Sequence, residues 1–284
     1  MQTIQWFPGH MAKARREITE KLKLVDLVIE LKDARIPYSS TNPMISEIIG
    51  NKPRLVLLCK SSLADAVVTK QWMEYYQQNQ IISLDIDSIT NYHTKDIIRY
   101  ANLALKETFE KRKQKGITSK TIKAMILGIP NVGKSTLINT LAKRKATTVG
   151  DRPGVTKNQT WIKITEDLYL LDTPGILWPK FEDQIVGIKL AMCGSIKDEI
   201  LDLDALVLAS LDYISKFYPD LIMKRYGISL ATPEQMQEEI GKRRGFLLKG
   251  GMVDLDRTNR MFMNELRAMK IGAMSYERPE NKSL

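Results

Sequence analysis

Short apolar runs alternate with amphipathic stretches along the first 180 residues. Runs rich in Val, Ile and Leu predict strands that are buried on both faces, at 25–31, 54–58, 81–84, 122–127 and 168–171. Helical periodicity predicts helices at 11–24, 71–78, 94–115 and 135–141. Strands that alternate with helices predict an α/β domain with a mostly parallel sheet, whose ligand loops follow the carboxyl ends of the strands.

The pattern changes after the Trp-Pro pair at 178–179. Apolar positions then recur at helical spacing over 182–191, 203–217, 233–240 and 254–268, without a clear strand. We therefore predict an α/β domain at 1–180, made of two halves at 1–115 and 120–180, and an all-helical domain at 181–284.

Composition narrows the class of protein. The apolar fraction of 43% and the charged fraction of 27% are typical of a soluble globular chain. No apolar run is long enough to span a membrane and no signal-peptide pattern begins the chain, so we expect a cytoplasmic protein. Two Cys and two His predict neither a disulfide framework nor a zinc site. The net charge of +10 suggests a polyanionic partner, although it can also reflect solubility alone.

The sequence at 128–135, Gly-Ile-Pro-Asn-Val-Gly-Lys-Ser, matches the phosphate-binding loop G-x-x-x-x-G-K-[ST]. A predicted strand enters it and a predicted helix leaves it, as such a loop requires. We expect it to wrap a triphosphate with backbone N–H groups. Lys134 would reach the β- and γ-phosphates, and the Ser135 hydroxyl would hold Mg²⁺. The residues expected to contact nucleotide here are Asn131, Val132, Gly133, Lys134, Ser135 and Thr136.

Two later segments supply further candidates for phosphate and metal contacts. Asp172 closes a predicted strand and can bind Mg²⁺, while Gly175 can donate its N–H to the γ-phosphate. Thr156 lies in a Gly- and Pro-rich loop and is the candidate switch threonine, with Thr147 and Thr148 as weaker alternatives. A phosphate loop, a loop threonine and an Asp-Thr-Pro-Gly segment follow one another in the order of a GTPase.

The expected guanine-reading motif, N-K-x-D at a strand end, is missing after Gly175. The only strand-end candidate is Cys-Lys-Ser-Ser at 59–62, which precedes the phosphate loop. The motifs therefore run in a circularly permuted order, which is acceptable where the original termini lie close together at the surface.

With these motifs in place, the chain resembles the circularly permuted GTPases of the ribosome biogenesis GTPase A type over nearly its whole length. The matching strings are Trp-Phe-Pro-Gly-His-Met at 6–11, Asp-Ala-Arg-Ile-Pro at 33–37, the phosphate loop, Pro-Gly-Val-Thr at 153–156 and Asp-Thr-Pro-Gly-Ile-Leu-Trp-Pro at 172–179. The resemblance implies a circularly permuted P-loop GTPase domain followed by a helical domain that touches rRNA. It also implies binding of GTP and GDP, and hydrolysis stimulated by the large (50S) ribosomal subunit. We expect a monomer.

The base motif departs from that family. Cys59 stands where the family has Asn, and Ser62 stands where its Asp accepts two guanine N–H groups, whereas Lys60 is kept and can lie along the base. A hydroxyl can meet only part of that demand, and an unpaired buried polar edge costs about 1–3 kcal/mol. Asp65 is expected in the following helix and is not assigned the role. The alternative to a GTPase is therefore an RNA-binding scaffold with little guanine selectivity.

Hydrolysis needs an oriented water, and Ile176 occupies the position where Ras-like proteins carry a Gln. The resemblance implies that His10 supplies this function, and the alternative is a packing role at a helix start. It also implies that Asn131 can help to coordinate K⁺ near the phosphates.

Basic residues in the C-terminal part form a candidate RNA surface. They are Lys242, Arg243, Arg244, Arg260 and Arg267, with Arg257 and Lys270 beside them. Contact with phosphates, independent of sequence, is the expected mode, and a solvated surface is the alternative.

Overall fold

The computed structural model describes residues 8–143, 161–173 and 183–280, with side chains from residue 15 onward in the first range. These residues fall into two compact units. The described residues up to 173, joined by 277–280, form the first unit, and residues 183–276 form the second. We call them the sheet unit and the helical unit.

The described residues of the sheet unit form one six-stranded sheet. In chain order its strands are β1 Leu27–Asp33, β2 Arg54–Cys59, β3 Ile82–Asp85, β4 Ile122–Gly128, β5 Trp161–Lys163 and β6 Leu168–Leu171. Across the sheet they lie in the order β3-β2-β1-β4-β6-β5, and every neighbouring pair is parallel except β5 with β6. This sheet confirms the predicted mostly parallel architecture.

Helices cover both faces of the sheet, which explains why its central strands are apolar runs rather than alternating ones. The helices are α1 Pro8–Leu22, α2 Pro43–Ile49, α3 Ala66–Gln78, α4 Ile97–Ala104, α5 Lys106–Gln114 and α6 Lys134–Ala142. All seven residues of β1 are buried. Ile18 and Ile45 pack with Val28, and Trp72 of α3 packs with Val56 on the same face, since Val56 pairs with Glu30, two residues after Val28 in β1.

The strand register brings the functional loops to one edge. Asp33 lies opposite Cys59, Leu31 lies opposite Gly128, and Leu58 lies opposite Asp85. The carboxyl ends of β1 to β4 therefore meet at the same edge of the sheet.

Local chemistry explains where the observed elements differ from the expected ones. The helix α2 was not expected; Asn42 caps it by accepting from the Met44 N–H at 3.0 Å, and Pro43 takes the first helical position. The single helix expected over 94–115 is broken at Leu105, whose side chain is fully buried. The three-residue strand β5 was not expected.

The helical unit contains α7 Gln184–Met192, α8 Leu203–Phe217, α9 Pro219–Tyr226, α10 Pro233–Arg243 and α11 Leu255–Arg267. Its core includes Val207, Leu211 and Phe262. Capping side chains begin all of these helices except α9, and at α10 Thr232 and Gln235 form a capping box. The unexpected element is α9, whose start is marked by Pro219.

A short C-terminal segment packs on the sheet unit. The sequence predicts that the helical domain continues to residue 284, but the buried Glu277 carboxylate accepts hydrogen bonds from the Tyr38 N–H at 2.7 Å and the Ser39 N–H at 3.0 Å. The Trp72 indole N–H also donates to the Glu277 carbonyl at 3.1 Å. These contacts fix the position of residues 38–39, which follow β1 closely in the chain.

Candidate nucleotide-binding site

The phosphate loop joins β4 to α6 in the sheet unit. Asn131 and Gly133 adopt positive φ angles of 59° and 103°, which turn successive backbone N–H groups toward a common centre. Gly128 has little room for a side chain, since an added Cβ would lie 3.0 Å from Val132 Cγ1 and 3.1 Å from the Leu31 carbonyl oxygen. The loop has the shape that phosphate binding requires.

Lys134 and Asp172 meet at this loop. The Lys134 ammonium donates to Asp172 Oδ1, and both residues are buried. Thr173 donates to the Ile126 carbonyl at 2.6 Å, which ties the end of β6 to the strand that enters the loop. The predicted phosphate lysine and metal carboxylate therefore share one place in the fold.

Lys60 joins the loop that is predicted to read the base to the phosphate loop. Its Nζ donates to the Asn131 carbonyl at 2.6 Å and lies 3.2 Å from Asp33 Oδ2. Burial opposes ionisation of Asp33, but Arg35 and Lys60 outweigh it and hold the pKa of this carboxyl well below its usual range. The family's Asn is replaced by Cys59, and in this chain Lys60 contacts the phosphate loop from the same strand end.

Cys59 itself points into the protein interior. Burial raises the pKa of its thiol, and its only described hydrogen-bond contact is with the Leu57 carbonyl at 3.7 Å. This side chain supplies no polar group to the nucleotide site.

Ser62 contacts a residue that sequence reasoning did not single out. Its hydroxyl donates to Asp87 Oδ2, while Asp87 Oδ1 accepts from the Ile89 N–H at 2.8 Å and the Thr90 N–H at 3.1 Å. Burial would raise the pKa of Asp87, but the hydrogen bonds from Ser62, Thr90 and Ile89 lower it. The signal in the sequence was a second polar strand end, after β3, beside the one after β2.

The structure describes only some of the remaining predicted site residues. Ser135 and Thr136 lie in the first turn of α6, as expected for residues beside a bound phosphate. His10 lies in α1, but its side chain is outside the part that the structure describes. Thr156 and Gly175 also fall outside the described residues.

Three of the predicted RNA contacts lie on exposed helix surfaces of the helical unit. Lys242, Arg243 and Arg260 each form an ion pair with a carboxylate four residues earlier, and more than half of each basic side chain is exposed. Such exposed pairs contribute about 0.3–0.5 kcal/mol, so a phosphate can replace the carboxylate at little cost.

The other two, Arg244 and Arg267, are engaged inside the helical unit. Arg267 donates to the Ala191 carbonyl at 2.7 Å and pairs with Asp198 at 2.8 Å. Arg244 lies 3.4 Å from Glu265 and over the Tyr226 ring. Spacing along α10 and α11 alone could not reveal these partners.

The described residues set two further limits. Within them, no group of three or more His, Cys, Asp or Glu side chains could hold a metal ion. No helix in the described ranges combines the length and apolarity needed to cross a membrane.

Together, the parallel sheet, the phosphate loop with Lys134 and Asp172, and the preceding loop with Lys60 define a circularly permuted P-loop GTPase. Residues 123–226 match the family described as 50S ribosome-binding GTPase. The chain is 53% identical over 281 residues to ribosome biogenesis GTPase A of Priestia megaterium, covering 98% of this chain and 97% of that protein. It is 52% identical over 280 residues to the Bacillus cereus protein of the same name, covering 98% and 94%.

A solved structure agrees with these relatives. GNP-bound YlqF from T. maritima matches at a TM-score of 0.67 and 26% identity, covering 94% of this chain and 99% of that one. The chain belongs to the ribosome biogenesis GTPase A family. It is a GTPase of ribosome assembly.

Proposed function

We propose that this GTPase binds GTP with the triphosphate in the loop at 128–135 and the base beside Lys60 and Ser62, and uses its nucleotide state to time its stay on the large ribosomal subunit. The observation that carries the proposal is the 2.6 Å hydrogen bond from Lys60 Nζ to the Asn131 carbonyl. This bond makes the base-reading and phosphate-reading loops one continuous site.

The residues present fit a bound Mg²⁺. A serine hydroxyl at 135 and a carboxylate at 172 are oxygen donors, and Mg²⁺ in nucleotide sites takes one or two protein ligands with the remainder from phosphates and water. Ser135, Asp172 and, when triphosphate is bound, Thr156 would hold the ion, which neutralises charge on the phosphates. Asn131 would accept K⁺ as a further cation.

We assign His10 to the orientation of the attacking water. Ile176 has no polar group with which to do so, and His10 is one of only two histidines in the chain. His10 lies near the start of α1. We expect the large subunit to hold His10 in place there and thereby to stimulate hydrolysis.

We infer that the partner is rRNA of the large subunit. The net charge of +10 and the exposed Lys242, Arg243 and Arg260 favour a polyanion. The P. megaterium and B. cereus relatives are named for ribosome biogenesis, and the matching family is described as 50S ribosome-binding. We propose that the protein acts in the cytoplasm as a monomer. The scaffold alternative is not favoured, since Lys134, Ser135 and Asp172 are all retained.

The test is single-turnover GTP hydrolysis with and without large subunits, at saturating GTP, in K⁺ and in Na⁺. We expect slow hydrolysis alone, stimulation by subunits in K⁺, and loss of nucleotide binding in Lys134→Ala. His10→Ala should bind GTP normally but lose about 10²-fold of the stimulated rate, the usual scale for such a group. His93→Ala is the matched control and should keep the stimulated rate. Equal stimulated rates for wild type and His10→Ala would remove His10 from the mechanism.

A further inference from the structure

Ser62 is the exposed member of a two-residue contact at the base-reading edge of the sheet. It lies in the short 3-10 turn Ser61–Leu63 that follows β2, and Asp87 lies two residues after β3. The Ser62 hydroxyl donates to Asp87 Oδ2, and Asp87 is only 4% exposed. A ligand at this edge can therefore reach the hydroxyl, with a carboxylate directly beneath it.

Asp87 determines the direction of the Ser62 hydroxyl. Its Oδ1 already accepts two backbone N–H groups, from Ile89 and Thr90. The same hydrogen bonds lower the pKa of Asp87 despite its burial, so the carboxylate is ionised near neutral pH and cannot donate. The proton in the contact therefore belongs to Ser62, and the lone pairs of its oxygen remain to face a ligand.

Backbone hydrogen bonds hold the two loops in this register. The Ser61 N–H donates to the Ile86 carbonyl at 3.1 Å, and the Ile86 N–H donates to the Leu58 carbonyl at 2.9 Å. The Thr140 hydroxyl of α6 donates to the Ser88 carbonyl at 3.1 Å, which connects the loop after β3 to the helix that follows the phosphate loop. The contact is therefore built into the same framework as the phosphate site.

Two other carboxylates, one after β2 and one at the end of β3, have different tasks. Asp65 caps α3 by accepting from the Val67 N–H at 2.9 Å and the Val68 N–H at 3.3 Å. Asp85 faces the His93 ring, with 3.2 Å between Oδ1 and Nδ1. Asp87 is the carboxylate that acts on the base-reading serine.

We propose that Asp87 is the positioning residue for guanine recognition, holding the Ser62 hydroxyl as a hydrogen-bond acceptor for the N1–H and 2-amino groups of the base. The proposal rests on the proposed placement of the base beside Ser62. It explains how the site can read guanine without a carboxylate at position 62. Adenine presents an acceptor at N1 and xanthine presents an oxygen at C2, so both oppose an oxygen that cannot donate.

The first test measures the affinities of GTP and XTP by fluorescence titration on the full chain. In Asp87→Asn the new amide can donate to Ser62, which frees the hydroxyl to donate to the base. We expect GTP affinity to fall by about tenfold, the effect of losing one good hydrogen bond, and the XTP-to-GTP affinity ratio to rise by at least as much. Asp85→Asn is the matched control, at the end of the same strand but facing His93, and should keep the wild-type ratio.

The second test moves the carboxylate from position 87 to position 62. Ser62→Asp alone places two carboxylates side by side and should bind GTP poorly at neutral pH. The double variant Ser62→Asp, Asp87→Asn leaves one carboxylate, now facing the base, and should bind GTP at least as tightly as wild type. This rescue provides an answer even if Asp87→Asn alone folds poorly.

The outcomes distinguish failure of the proposed base placement from failure of the role of Asp87. Failure of the wild-type chain to bind any guanine nucleotide would overturn the proposed placement of the base. Normal GTP binding by wild type, with the same XTP-to-GTP ratio in Asp87→Asn and no rescue in the double variant, would overturn only the role of Asp87. A merely structural role for Asp87 would lower both affinities together and leave the ratio unchanged, which also contradicts the proposal.

Discussion

Lys60 offers a direct test of whether the two halves of the permuted site depend on one another. Replacing it with Met keeps the apolar stem that can lie along a base and removes only the ammonium. The ammonium donates to the Asn131 carbonyl at 2.6 Å and lies 3.2 Å from Asp33. Asp33 keeps Arg35 at 2.8 Å, so the main loss is the bond to the phosphate loop.

The magnitude follows from that bond. The Lys60 side chain is 25% exposed, and a hydrogen bond from a charged group of this kind contributes about 1.5–3 kcal/mol. If about half of the upper value is expressed as disorder of the loop in the free protein, affinity falls by about tenfold. GDP and GTP should weaken equally, because the loop encloses the phosphates that both share.

Lys52→Met is the matched control. Lys52 Nζ also donates to a backbone carbonyl, that of Val25, at 2.9 Å, but both residues precede their strands and lie at the opposite edge of the sheet. We expect it to lower the free energy of unfolding, measured in urea, about as much as Lys60→Met does, with normal nucleotide affinity in fluorescence titrations. Equal nucleotide affinities in the two variants would refute the bracing role of Lys60.

Three further predictions concern stability and the RNA surface. Glu277→Gln should lower the unfolding free energy of the sheet unit by about 1–3 kcal/mol, because the buried N–H groups then face a neutral amide in place of a charged carboxylate; the exposed Glu280→Gln should not change urea unfolding. Arg267→Ala should lower the thermal midpoint of the helical unit, while Arg260→Ala should keep it and weaken RNA binding in filter assays at low salt; the reverse pattern would contradict the assignment. The pKa of Asp33 is lowered on folding, so its stabilisation is present above about pH 4 and is lost as the pH falls; urea unfolding between pH 5 and 3 should show stability decreasing, and no change would count against the ion pairs.

The hydrophobic pattern was sufficient for the framework of the sheet unit. Runs such as 122–127 carry enough buried apolar surface to be strands in any arrangement that covers both faces, and the structure has β4 at Ile122–Gly128. The hydrophobic pattern predicted short elements less well. The three-residue β5 and the bend at Leu105 depend on neighbours that local periodicity does not contain.

The phosphate loop could also be identified from the sequence, because its chemistry is local. Consecutive N–H groups, glycines and one lysine bind phosphate within eight residues, so a short sequence motif is enough to predict the site. The same holds for the order of motifs, from which the permutation was deduced.

The contact between Ser62 and Asp87 was decided by tertiary structure. Ser62 and Asp87 are far apart in sequence, and only the parallel pairing of β2 with β3 brings their loops together. Asp65 caps its own helix, whereas Asp85 and Asp87 face His93 and Ser62, and the sequence could not show those two partners because they lie on other segments. Arg267 makes the same point, since its partners lie on α7 and the turn after it. The chemistry of a local motif can be predicted from its residues, because they act together within one segment. The role of a single charged side chain depends on the groups that the fold places against it.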